Sequence, residues 1–398
     1  MTSSGHLAST PSAPPHLSLA YVTGVASLAP LGLNVAVGLQ PVFGQTPLDG
    51  SGRAATVALL ALGLGLGQPV AGDAADRWGR RVTLLAGLAL ASLGAWLCVL
   101  ADTPGTLMAG RFLTGLGLST CLVVPRTCLR DLHEGVALQR SMAVLALVFA
   151  FLPAITPPLS WALAQDSTWR TPLGLLALLV GAGALLAWRW QHETRPAGTH
   201  TPRWSSWGQL ARQRPLQRIT LAFAGIAAPF FIIAAAGPAA LQASTGVGGG
   251  TAASVLGLSY LGFAVGNHWV RQRAHRPGAT LFRQGLVLAA AGMACLAGSL
   301  LWPSLWLWTL ALTVYAVGHG MVFPAAFAMA LGGHARQAGL VTAGIGTVHM
   351  CTGALSAWAT PWLPRALSAH QAVVFSTATM TLLAIAAWFF IPHHKEAS

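Results

Sequence analysis

The sequence predicts an all-α membrane protein of twelve transmembrane helices, arranged as two six-helix pseudo-repeat halves. Three observations carry this. Of 398 residues, 54% are hydrophobic and only 8% charged, against about 25% charged in soluble domains. Apolar runs of about 20 residues, enough to cross a bilayer, recur at 18–40, 54–73, 82–101, 106–129, 140–164, 170–190, 217–241, 250–270, 280–302, 305–331, 336–362 and 368–391. Basic residues gather in the short segments between those runs. The runs are too long and alternate too little for barrel strands, which leaves helices to satisfy the backbone in lipid.

Orientation follows from the arginines. With the N-terminus in the cytoplasm, the inside segments hold 18 of the 22 basic residues, Arg126 among them, and the outside segments hold Arg53, Arg170 and Arg365. Arg111 alone remains inside a span. That asymmetry places both termini inside and explains a net charge of +13 without nucleic acid as a partner.

Residues 1–17 contain no Lys or Arg. They lack a signal-peptide leader and read as a disordered cytoplasmic tail. The expected order is then a bundle over 18–190, a cytoplasmic linker over 191–216, a second bundle over 217–391 and a tail over 392–398. The linker, with two Trp and several Arg, reads as a surface-lying amphipathic piece. GNHWVRQRAHR after span 8 takes the place that GDAADRWGRR has after span 2, so the halves look like diverged repeats. Trp188, Trp190, Trp302, Trp306, Trp362 and Trp388 sit near span ends, as in interfacial belts. Gly63, Gly67 and Gly353 suit close helix packing. Five cysteines in apolar runs form neither a disulfide framework nor a metal spacing. No metal site, P-loop or cofactor is expected.

The segment between spans 2 and 3 is the most specific: Gly72, Asp76, Arg77, Gly79, Arg80 and Arg81 form a Gly-x-x-x-Asp-Arg-x-Gly-Arg-Arg turn, with Gly72 and Gly79 allowing close approach and a tight bend. Span 4 then carries GRFLTGLG and ends in RTCLRDLHEG, with Arg130 and Asp131; span 5 contains LPAITPPLSW, and span 10 GHGMVFPAAFAMAL. Together these resemble transporters of the major facilitator superfamily (MFS), and within it the Bcr/CflA-type drug-efflux branch of 12-span drug:proton antiporters. The resemblance covers about residues 20–395 and implies a monomer. It departs in span 1, where Asn34 stands in place of the family's Asp.

The resemblance implies a central cavity lined by spans 1, 4, 7 and 10. Asn34 and Arg111 each lie about 8–9 Å inside the outer boundary at 1.5 Å per residue, so they are expected to face one another across it. A charged Arg in a span costs at least about 2.5–3.5 kcal/mol on the insertion scale and faces water, a partner or a ligand. Gln68, Thr114, Phe149, Phe230, Phe231, Tyr260 and Phe323 are further candidates for ligand contact. None of the nine acids falls near the middle of a span, so a lipophilic cation would find no counter-charge there. Imidazole titrates near neutral pH, which makes His319 the first candidate for proton coupling; His349 follows, and Asp73 is an alternative. Asp76, Arg80 and Asp131 are expected, from the resemblance, to form an ionic latch that holds the outward-open state. The function that follows is inner-membrane export of small neutral or anionic amphipathic compounds by alternating access, as a proton antiporter, with no enzymatic activity. An uncoupled facilitator or uptake symporter is the alternative; a membrane-embedded transferase is remote, given short loops and scattered acids.

Overall fold

The computed structural model describes residues 18–45, 50–133, 135–165, 168–195, 208–209, 211–332, 338–363 and 366–390. The expected tails, residues 196–207 of the linker, and Arg336, Arg365 and Lys395 lie outside them. Among the described residues twelve helices are long and apolar enough to span a membrane. They are α1 (Leu19–Leu39), α2 (Gly50–Trp78), α3 (Arg80–Val99), α4 (Pro104–Leu132), α5 (Gly135–Gln165), α6 (Arg170–Trp190), α7 (Arg214–Thr245), α8 (Gly249–Gln272, interrupted at Tyr260), α9 (Gly278–Gly298), α10 (Leu305–Gly332), α11 (Ala338–Ala359) and α12 (Ala369–Phe390). Their ends follow local chemistry. Ser18 and Thr103 cap α1 and α4 by accepting from Tyr21 N and Thr106 N. Gly246, at φ +73°, closes α7 in the left-handed conformation.

Two boundaries differ from expectation. The helix of span 2 runs on to Trp78, so Gly72–Trp78 is helix and only Gly79, at φ +97°, makes the bend. A side chain at Gly72 would meet nothing within 4 Å; the close approach expected there is absent. Helix α4 runs to Leu132, three residues past the expected end of span 4, so Arg126 sits within the helix and not in a connecting segment.

Helices lack a hydrophobic drive to associate in lipid and pack instead through small residues. In the first half, α2 and α3 press onto α4. A Cβ at Gly63 would strike Phe112 O, one at Gly67 Leu116 O, one at Gly94 Gly110 O, and one at Gly117 Gly87 O and Ala91 N. The second half repeats each contact where α8 and α9 press onto α10: Gly262 on Thr313 O, Gly266 on Val317 O, Gly292 on Ala311 O, and Gly318 on Gly285 O and Ala289 N. The shift from α4 to α10 is a constant 201 residues (110 to 311, 112 to 313, 117 to 318). The repeat is therefore real, but its register differs from the sequence pairing. Gly266 corresponds to Gly67, five residues before Gly72.

The halves meet chiefly where α2 packs on α11 and α5 on α8. Gly65 lies against Met350 and Cys351, Thr347 Oγ1 donates to Gly65 O at 3.1 Å, and Gly346 abuts Gln68. Ala154 and Pro158 abut Gly257, and Trp161 abuts Gly249 and Gly250. These contacts lie at mid-span or toward the Leu39 end, away from Gly79. The structure is thus closed at the Leu39 end.

Trp302, Trp306 and Trp362 are exposed as an interfacial belt requires, whereas Trp388 is buried, stacked on Phe282 with Arg218 over its face at 4.0 Å. Gly353 does pack closely, against the Phe231 ring.

Leu at Gly117 or at Gly318 should lower the melting temperature of the detergent-purified protein to a similar extent, since overpacking costs about 1–3 kcal/mol. Leu at Gly72 should leave it unchanged. Fluorescence-detected thermal unfolding checks all three.

Candidate functional site

The middle of the bundle holds a small cavity between the halves. Its free volume is about 30 Å³, room for a water or two. Asn34 of α1, Pro153 and Pro157 of α5, Phe230 of α7, Ser259 and Tyr260 of α8, and Tyr315 of α10 line it. No lining residue is charged. Asn34 is 2% exposed and donates Nδ2 to Pro30 O at 2.9 Å, which leaves its amide oxygen as the free acceptor. The Ser259 hydroxyl has no protein partner.

Behind the cavity wall lies an aromatic cluster contributed by α7, α8, α10 and α11. Tyr260 Oη is 3.2 Å from His319 Nδ1. The His319 ring is 2% exposed, enclosed by Phe223, Phe230, Phe263 and Tyr315, and its Nε2 has no protein partner. His349 packs on Phe223 at 4.8 Å and on Phe231 at 5.5 Å between ring centroids, with Phe323 at 6.4 Å. Six sequence candidates, Phe230, Phe231, Tyr260, His319, Phe323 and His349, thus share one cluster. The sequence reading missed Phe223, Phe263 and Tyr315; Phe223 and Phe230 are seven residues apart on one face of α7, and that helical spacing was the available signal.

Other candidates stand elsewhere. Arg111 does not meet Asn34 and does not line the cavity. It is 1% exposed among α1, α2 and α4, and donates Nε to Thr56 O at 2.8 Å and Nη2 to Gly32 O at 2.9 Å. The guanidinium ties three helices together through backbone carbonyls. Thr114 donates to Gly110 O and packs under Gly94 of α3, so it is a packing residue. Gln68 lies in the α2–α11 seam against Gly346, with no protein partner for Nε2. Asp73 pairs with Arg77 at 2.9 Å near the end of α2, remote from the cavity.

The Gly79 end carries the charges. Arg80, 1% exposed, bonds Asp76 and Asp131 at 3.0 Å each and Ala75 O at 2.7 Å. Glu193, just past α6, accepts from the backbone N–H groups of Arg80, Arg81 and Arg195, while Arg195 Nη1 donates to Asp76 O and Arg77 O. A side chain at Gly79 would collide with the Glu193 carboxylate, a second reason for glycine beside its positive φ. Arg81 donates to Trp188 O, and Arg130 is exposed outside the cluster. Asp76, Arg80 and Asp131 thus come together as expected, and with Glu193 and Arg195 just past α6 the cluster ties α2, α3 and α4 to the segment that follows α6. Glu193 was missed because ETRP reads as the start of a linker. Burial pushes its carboxyl up, but the N–H groups of Arg80, Arg195 and Arg81 and the Arg80 charge outweigh that and hold it below the ordinary carboxylate range.

Twelve spanning helices in two repeated sets, with an uncharged cavity between the halves, define a multi-pass membrane transporter. Residues 17–357 match the Major Facilitator Superfamily model, and the chain belongs to that superfamily. Similar proteins include the uncharacterized MFS-type transporter YdgK of Bacillus subtilis (strain 168), 26% identical over 363 residues that cover 87% of this chain and 89% of YdgK. Multidrug resistance protein MdtL of Escherichia coli O81 (strain ED1a) is 26% identical over 300 residues, 72% of this chain and 73% of MdtL. Among solved structures, the D-xylose-proton symporter matches with a TM-score of 0.74 at 16% identity, over 95% of this chain and 98% of that one. The human organic anion transporter MFSD10 (TETRAN) matches with a TM-score of 0.71 at 16% identity, over 96% and 100%. At such identities the structural likeness concerns the fold alone.

Because the Glu193 carboxyl is held below its unfolded value of about 4.3, its contribution to stability is complete above that pH and is lost as pH falls through the lower folded value. Glu193→Gln should therefore melt earlier than the wild type at pH 7 and show a shallower loss of melting temperature between pH 5 and 3. Thermal melts across that range check the sign.

Proposed function

We propose that the chain is an inner-membrane exporter of small amphipathic compounds, neutral or anionic, working by alternating access as a proton antiporter of the Bcr/CflA type. Both termini and the Gly79 end lie in the cytoplasm, and the bundles over 18–190 and 217–391 move against each other. The observation that carries this is the uncharged, aromatic-walled cavity at the junction of the halves, backed by the buried Tyr260–His319 pair. Five of the nine acids, Asp73, Asp76, Asp102, Asp131 and Glu193, fall among the described residues, and all sit toward helix ends. No carboxylate among them offers a counter-charge to a cationic drug. Arg111 offers no counter-charge to an anionic cargo, since that guanidinium is committed to carbonyls. The name of MdtL and the motifs of spans 2, 4 and 5 support export of drug-like compounds.

His319 supplies the coupling. A neutral ring with a bare Nδ1 accepts a hydrogen bond from the Tyr260 hydroxyl; a protonated ring donates there instead and frees the hydroxyl hydrogen to point into the cavity. Proton and cargo then compete through the state of one hydroxyl. Opening toward the Leu39 end requires the α2–α11 and α5–α8 contacts to part. The amide at Asn34 favours a second reading, an uncoupled facilitator.

Cells expressing the chain should show uncoupler-sensitive efflux of neutral amphipathic compounds. His319→Gln, which keeps a hydrogen-bonding side chain but cannot titrate, should reduce pH-driven transport to the level of empty vector. Efflux indifferent to the uncoupler would favour the facilitator, and coupled efflux intact in His319→Gln would remove His319 from the mechanism.

A further inference from the structure

We propose that Arg126, standing on the ring of Phe149, is the anion-binding subsite of this transporter and holds the carboxylate of an aromatic organic acid. This rests on the transporter reading and narrows its cargo. Arg126 lies six residues before the end of α4, about 9 Å inside the helix end at 1.5 Å per residue. Helix α4 is surrounded by α1, α2, α3 and α5, and α2 and α5 are the helices that pack on the second half. The side of α4 between them therefore looks toward the second half and not toward lipid. The Arg126 guanidinium carbon sits 5.4 Å from the centroid of Phe149 on α5, and the side chain is half-buried. Phe149, Pro153 and Pro157 follow one another at four-residue steps on one face of α5, and the two prolines line the cavity. The cation thus stands over Phe149, one helical turn of α5 from the cavity-lining Pro153.

What sets Arg126 apart is how little it is given. Arg80 has two carboxylates and a carbonyl, Arg111 two carbonyls, and Arg170 two carbonyls and Asp102. Among the described residues the Arg126 side chain has the Phe149 face and neither a hydrogen bond nor an ion pair. A guanidinium held over a ring keeps its edge N–H groups free, and that planar fork matches a carboxylate in two hydrogen bonds. An intramembrane charge left without a protein partner marks a ligand site by default. The neighbouring ring and the aromatic cluster across the junction suit an aromatic acid over a small inorganic anion.

The test uses the full-length protein in neutral detergent without anionic lipid, with 1-naphthoate and its uncharged isostere 1-naphthamide as probes in titration calorimetry. The wild type should bind naphthoate more tightly than the amide by at least about tenfold, the worth of one charge-assisted contact. Arg126→Gln should erase that preference and leave amide binding unchanged; Arg126→Lys, charged but without the fork, should keep part of it. Equal affinities in the wild type, no naphthoate binding, a preference that survives Arg126→Gln, or displacement by phosphatidylglycerol with no effect of naphthoate would each overturn the proposal. If Arg126→Gln fails to fold, Phe149→Leu and Arg126→Lys give the same comparison, and a naphthoate preference unchanged in both overturns it. Failure here with uncoupler-sensitive efflux of neutral compounds intact removes the anion subsite alone. Arg126-dependent naphthoate binding without efflux removes the exporter reading alone.

Discussion

Backbone-to-backbone approach at glycine is the constraint on which the rest of the structure depends. Where α2 and α3 cross α4, and where α8 and α9 cross α10, Gly63, Gly67, Gly94 and Gly117 and their counterparts Gly262, Gly266, Gly292 and Gly318 let carbonyls and amides of neighbouring helices come close. Lipid supplies no hydrophobic force to hold helices together, so this contact and the bonds it permits supply the cohesion. It brings Thr56 O and Gly32 O within reach of the Arg111 guanidinium in the first half. In the second half it brings Ile226 O within 2.8 Å of the Tyr315 hydroxyl, and Tyr315 occupies the repeat position of Thr114. One backbone geometry thus carries two chemistries: a guanidinium clamp on one side and an aromatic, imidazole-bearing wall on the other.

Charge is distributed to match. The Asp76–Arg80–Asp131 pairs, with Glu193 capping the start of α3, lock the Gly79 end of the first half. Arg170 with Asp102 and two carbonyls ties α6 to the segment between α3 and α4 at the opposite end. Between those ends the cavity wall is neutral. A bundle braced by ion pairs at its ends, with a neutral cavity wall between them, can rock around a cargo without separating buried ion pairs at the junction, each of which would cost several kcal/mol per ion to leave unpaired. Among the described residues the contacts that cross the junction include glycines, a threonine–carbonyl bond, the uncharged Gln68 amide and apolar side chains, which part at far lower cost.

The fold was legible in the sequence because length and apolarity are enough to mark a span. All twelve appeared, and the helices of spans 1, 6 and 10 agree with the expected limits to within a residue. What composition could not show was where a helix continues through polar residues. GDAADRW reads as a loop by its charge, yet it is helix: Asp73 and Arg77 are spaced by four residues and neutralise one another within α2, and Asp76 is paired by Arg80 across the Gly79 bend. The site was legible by residue type but not by direction. Arg111 and Asn34 stand at similar depth, but rotation about each helix axis, fixed by glycine contacts remote in sequence, turns Arg111 toward backbone carbonyls. Rotation likewise hides Thr114 under α3. The aromatic cluster could be anticipated at Phe230, Tyr260, His319 and Phe323, since each occupies a span near mid-membrane. Glu193 could not, because its partners lie more than 100 residues away.

The central claim is that the α2–α11 seam must open for cargo to cross. A Cβ at position 65 would stand 2.9 Å from Cys351 Sγ, so Gly65→Cys can be joined to Cys351 by mild oxidation in membranes. Transport should fall to the empty-vector level on cross-linking and return on reduction. Full transport in the fully cross-linked protein would contradict alternating access through this seam.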